Sequence, residues 1–279
     1  MRSLIRHYWD KWFREPLRKI EADSLAFRLD GARGIDWKTP VVLLTAAVSL
    51  LIQNYTDSIY KVSTEVVWVV RTVAGPDTAA DVSATLRRWN GDQLSSRVWW
   101  ALVVALTYVA LPVLVLKFAF GHKLSDHGVK FHGLLRAWPL YVFFVMVMVP
   151  LVIVCSGETR FQQTYPFMNF TSREDVSANL WKWELAYAAQ FVGLEFFFRG
   201  FMVHGLKHRF GVYAVFVSMV PYVQIHFGKP MPEATASIIA GIVLGYMSLV
   251  TRSVWLGAAL HIGVAWGMDC ACLYRRGLL

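Results

Sequence analysis

Within the stretch from Gly193 to Gly200, an acid and a base stand four residues apart: Glu195 and Arg199. Five phenylalanines crowd them, at positions 191, 196, 197, 198 and 201. Ionisable side chains at membrane depth cost about 3 kcal/mol each, so they are rare and usually functional. On a helix, positions i and i+4 share a face, so Glu195 and Arg199 are placed to pair. Two later apolar segments each bring one histidine, His226 and His261, and Glu233 opens the segment between them. Together these groups suit hydrolysis in a dry environment, which needs a water-activating group and a stabiliser of the developing oxyanion. Glu195 is the candidate for activating water, and Arg199 orients it. His226 and His261 polarise the water or the carbonyl under attack, and Glu233 is a candidate second acid. Each residue also has a plainer reading. Glu195–Arg199 is then a self-neutralising ion pair, His226 an interfacial helix-end histidine, and His261 a buried hydrogen-bonding one. Glu233 would merely complement a helix N-terminus.

The segments that must position these groups are membrane-like. Of the 279 residues, 56% are hydrophobic, and mean hydropathy is +0.42, above the ~45–50% apolar content of soluble domains. Charge-poor windows predict spans near 40–57, 97–119, 137–156, 180–204, 211–227, 233–250 and 253–274. Residues 64–70 are too short to cross and read as a re-entrant or interfacial helix, followed by a polar loop to residue 96. The expected fold is therefore all-α, a polytopic integral membrane protein with about 7–8 transmembrane helices. Trp37, Trp99, Trp100, Trp138 and Trp255 fall at segment ends, where aromatic anchors belong. Small residues Ala236, Ala240, Gly241 and Gly245 predict close helix packing.

The charge of +9 is read as loop Lys/Arg facing anionic lipid; no basic motif interleaved with aromatics supports nucleic-acid binding. Residues 1–36 form a basic amphipathic segment, with Leu4, Ile5, Tyr8, Trp9, Trp12 and Phe13 against Arg2, Arg6, Lys11, Arg14, Arg18 and Lys19. It is expected to lie on the cytoplasmic leaflet. With no cleavable signal in view, the first apolar run is expected to act as an uncleaved anchor. The basic loops 117–136 and 207–209 place themselves on the cytoplasmic side, and 158–179 on the other. Seven spans would leave Arg275 and Arg276 outside, against that rule. One domain is expected, divided into the N-terminal segment, the helices and loops of 37–179, and a core at 180–274 carrying the site. Cys155, Cys270 and Cys272 make no CxxC pattern. The i, i+4 pair His204/His208 has metal-like spacing but ends a basic segment, which argues against a metal there.

At these residues the chain resembles the CPBP intramembrane protease family, which includes the prenyl-protein CAAX endopeptidases and bacteriocin-processing proteins. That family carries Glu-Glu-x-x-x-Arg, Phe-x-x-x-His and His-x-x-x-Asn on successive helices. Here they read Leu194-Glu195-Phe196-Phe197-Phe198-Arg199, Tyr222-Val223-Gln224-Ile225-His226 and His261-Ile262-Gly263-Val264-Ala265. The resemblance implies an intramembrane endopeptidase, in a multi-pass cell membrane (a bacterial inner membrane), with a membrane-associated peptide or protein as substrate. It implies a metal-free, glutamate-type site and no cofactor. Zinc is the alternative, held by Glu195, His226 and His261. Three positions depart from the pattern: Leu194 replaces the family's water-activating Glu, Ala265 its oxyanion-stabilising Asn, and Tyr222 its Phe. The competing readings are a non-catalytic membrane scaffold or immunity-type protein that keeps the pocket, and a transporter using the buried charges. No symmetry between halves supports transport.

Overall fold

In the computed structural model, residues 6–7, 9–30, 35–131 and 138–279 are described. Among them every regular element is helical. We number the helices α1 Glu15–Asp30, α2 Lys38–Thr56, α3 Ile59–Ala74, α4 Pro76–Gly91, α5 Gln93–Ala119, α6 Trp138–Cys155 and α7 Thr159–Thr164. Then come α8 Arg173–Glu195, a π-helical segment Phe196–Val203 continuing into α9 His204–Phe210, α10 Ala214–Gln224, α11 Met231–Thr251 and α12 Trp255–Arg275. Local chemistry sets the starts. Ser58, Asp92 and Ser172 each accept a backbone N–H three residues on, capping α3, α5 and α8. Gly75, at φ 90°, turns the chain into Pro76 at the head of α4.

Two ends organise the bundle. At one end Lys38 meets His122 at 3.1 Å, Asp36 meets His208 at 3.3 Å, and the Val254 N–H donates to the Gly128 carbonyl at 3.1 Å. At the other, the Trp99 indole donates to the Thr56 carbonyl and Arg173 to that of Gly277. Lys229 reaches the Tyr165 hydroxyl there, and Arg275 the Ser156 hydroxyl. Chain passages between the ends alternate through α2, α5, α6, α8 with α9, α10, α11 and α12. Four of these helices are long and apolar enough to cross a membrane: α2, α5, α11 and α12.

Several expectations need correction. The segment expected to span 211–227 is α10, with 11 residues; at ~1.5 Å per residue it covers about 16 Å, half a bilayer core. Gly211, at φ 58°, starts it late, and the turn at 225–228 ends it early. Residues 71–96 are not a polar loop: α3 and α4 form a helical hairpin. Trp68, Val69 and Val73 of α3 are exposed, as an interfacial helix requires. The motif helix starts at Arg173, earlier than residue 180, beneath its Ser172 cap. The basic segment lies on the protein as well as outward. Ser24 donates to the Arg209 carbonyl, and Glu21 accepts the Val212 N–H at 2.7 Å, at the end of α9. Leu4, Ile5, Tyr8 and Arg136 lie outside the described residues, as do the side chains of Trp12, Phe13 and Trp138.

The core sits on the motif. All eight residues of Phe196–Val203 are buried, and Phe197 stacks on Tyr108 of α5 at 4.5 Å. Glycines admit the neighbours: a Cβ at Gly245 would strike Val215, and one at Gly241 would strike Met219. The close packing expected along α11 is therefore present against α10.

Candidate active site

Glu195 is the last residue of α8 before the chain rewinds into the π segment, and it is 0% exposed. Its Oε1 lies 2.7 Å from His261 Nδ1 of α12 and 3.4 Å from Arg199 Nη1. The contact with His261 is short but not aligned as a hydrogen bond, and Oε2 has no hydrogen-bond partner among the described residues. Gly257, one turn before His261, makes the approach feasible, because a Cβ there would collide with Glu195 Oε2. Phe191 stacks on the His261 ring at 5.2 Å, fixing its plane.

Tyr222 of α10 ties the two histidines together. Its hydroxyl lies 2.9 Å from His261 Nε2, and its carbonyl lies 2.8 Å from His226 Nδ1. The Arg199 guanidinium sits 4.0 Å from the Tyr222 ring centroid, so Arg199 touches both its acid and this ring.

Leu194, Tyr222, His226, His261, Ala265 and Glu233 all line one cavity of about 1640 Å³. Ligand pockets commonly measure ~300–1,000 Å³, so this one has room for a peptide. Glu195 and Arg199 are not part of its wall. They stand behind His261 and Tyr222, so these two, with His226, are the groups a bound molecule would meet.

Of the residues singled out from sequence, Glu195, Arg199 and His261 meet directly, and His226 joins through Tyr222. Glu233 has other partners on the same cavity. Its Oε1 accepts the Tyr165 hydroxyl at 2.6 Å and pairs with Lys229 at 3.2 Å. His204 and His208 diverge, to Ser248 and Asp36 respectively. Among the described residues no group of three or more His, Cys, Asp or Glu is placed to hold a metal ion. Sequence reasoning missed Tyr222 as a participant, although it stood in the motif. It also missed Gly257, whose signal was its place one turn before His261. Nothing in the sequence pointed to Tyr165; the signal for Lys229 was its place four residues before Glu233.

Fold and site thus define an all-helical membrane protein with a buried Glu–Arg–His cluster behind a large open cavity. Residues 176–267 match the family model described as Type II CAAX prenyl endopeptidase Rce1-like. The match bears out the resemblance to the CPBP and CAAX protease family over the segment that carries the site. No curated protein and no solved structure matches this chain.

Proposed function

We propose that this protein is an intramembrane endopeptidase that hydrolyses a peptide bond in a membrane-associated peptide or protein. The observation that carries the reading is His261, held between a buried carboxylate and the cavity. A carboxylate behind an imidazole fixes its tautomer and stabilises the imidazolium formed on proton transfer. Glu195 is then a positioning residue rather than the group that meets water. His261 is the base, and His226, whose Nε2 is left for the cavity, polarises the carbonyl or steadies the water. The cavity admits the chain to be cut. On this reading α6, α8 with α9, and α10 lie in the bilayer beside the four long helices, giving seven passages.

The test is cleavage of reporter peptides, prenylated and unprenylated, by the purified protein in liposomes. His261→Ala and His226→Ala should abolish cleavage while leaving the protein folded. Cleavage by folded His261→Ala at the wild-type rate would sink the assignment. A second reading, a non-catalytic binding protein, draws on Leu194 and Ala265: both cavity-wall positions are apolar where the family pattern has Glu and Asn. It predicts saturable peptide binding with no product.

A further inference from the structure

The Tyr222 hydroxyl occupies the only His261 nitrogen that could otherwise meet a substrate. The direction of the contact follows from its neighbours. The Glu195 carboxylate is paired with Arg199 and can only accept, so the His261 ring proton is assigned to Nδ1, which faces it at 2.7 Å. Nε2 of the neutral ring is then an acceptor, and the Tyr222 O–H, 2.9 Å away, donates to it. The phenol oxygen keeps its lone pairs, and Tyr222 lines the cavity. Its ring is locked by Arg199 on one face and by the Phe198 edge at 5.2 Å. The family pattern has Phe at this position and Asn where Ala265 stands, so this chain has gained a hydroxyl at the site where it lacks an amide.

We propose that Tyr222 is a catalytic residue that relays the proton between the attacking water and His261; this rests on the endopeptidase reading. Water gives a proton to the Tyr222 phenol oxygen as the phenol proton passes to His261 Nε2. The hydroxide oxygen bonds to the peptide carbonyl carbon, and the C=O π pair moves onto its oxygen. His261 ends as an imidazolium against Glu195. When the C–N bond breaks, the proton returns by the same path to the leaving nitrogen, and Tyr222 is neutral at the start and at the end. The Arg199 cation over the ring favours the negative charge the phenol carries in transit.

The experiment compares wild type, Tyr222→Phe and His261→Ala in liposomes, with the melting temperature of each. Phe retains the ring contacts, so Tyr222→Phe should stay folded. Loss of a general acid–base group predicts a kcat fall of about 10²–10⁴-fold, with KM little changed. Rates in mixed light and heavy water should curve with deuterium fraction for wild type, since two protons move together, and should be linear for Tyr222→Phe. A site-specifically fluorinated tyrosine at 222, a more acidic phenol, should move the alkaline limb of the pH–rate profile to lower pH. If Tyr222→Phe cleaves at the wild-type rate while His261→Ala is dead, the relay is wrong and the endopeptidase reading stands. Unchanged limbs with fluorinated tyrosine overturn the relay in the same way. If wild type releases no product, both readings fall.

Discussion

At the residue scale, the site depends on how closely Glu195 approaches α12. That approach exists because Gly257 has no side chain. Gly257→Ala should force the carboxylate aside, at a cost of about 1–3 kcal/mol typical of overpacking, and break the contact with His261. Gly263→Ala, where the nearest atom to a new Cβ is the Tyr141 hydroxyl at 3.7 Å, should be neutral; thermal unfolding of the two variants checks the contrast. The Glu195–Arg199 pair makes a second case. Glu195→Gln leaves Arg199, 1% exposed, as an uncompensated buried charge, which costs about 3–5 kcal/mol. Glu195→Gln with Arg199→Met relieves that charge, so the double variant should recover expression and melting temperature yet cleave poorly. Full activity in the folded double variant would make the pair purely structural.

At the element scale, the π segment is held from the Lys38 end by a chain of histidines. Lys38 can only donate, so it fixes the direction: its ammonium donates to His122 Nε2, and His122 Nδ1–H to His127 Nε2. His127 Nδ1–H then donates to the Gly200 carbonyl at 3.2 Å. Burial, aided by the nearby His122 and Lys207, pushes the His127 imidazole down to about 4, against the opposing pull of the Gly200 bond and Asp126. The unfolded chain, with a histidine near 6.5, takes up the proton first. The stability His127 contributes is therefore complete above about pH 6.5 and declines as pH falls toward 4. His127→Gln keeps a donor for Gly200 without titrating. Its melting temperature should fall less than that of wild type between pH 7 and pH 5; parallel curves would dismiss the effect.

At the scale of the whole molecule, the two ends carry the topology. Residues 36–38, 120–128, 204–210 and 252–254 gather at the end rich in Lys and His, which the positive-inside rule assigns to the cytoplasm. Arg275 and Arg276 sit at the opposite end, against that rule. Arg275 donates to the Ser156 hydroxyl and the Ile153 carbonyl, and Arg276 to the carbonyls of Gln162 and Tyr165. With Cys155, Cys270 and Cys272 replaced, a cysteine at Lys123 should resist impermeant thiol reagents in intact cells. A cysteine at Glu158 should react. The reverse pattern would invert the orientation.

Much of this was legible in the amino-acid sequence. Apolar windows announced the helices, because burial in lipid demands uninterrupted apolar runs and internal backbone bonding. Glu195, Arg199, His226 and His261 stood out because charge within such runs is expensive. What tertiary structure decided was which of these groups faces the cavity. Helical periodicity relates residues on one helix, but the rewinding at Phe196–Val203 and the approach of α12 through Gly257 turned Glu195 inward and Leu194 toward the cavity. The shortness of α10, the pairing of Glu233 with Tyr165, and the Tyr222 hydroxyl on His261 were likewise beyond sequence. The Tyr165 and Tyr222 contacts depend on distances between segments far apart in the chain, which no local spacing encodes, whereas Lys229 stands one turn from Glu233.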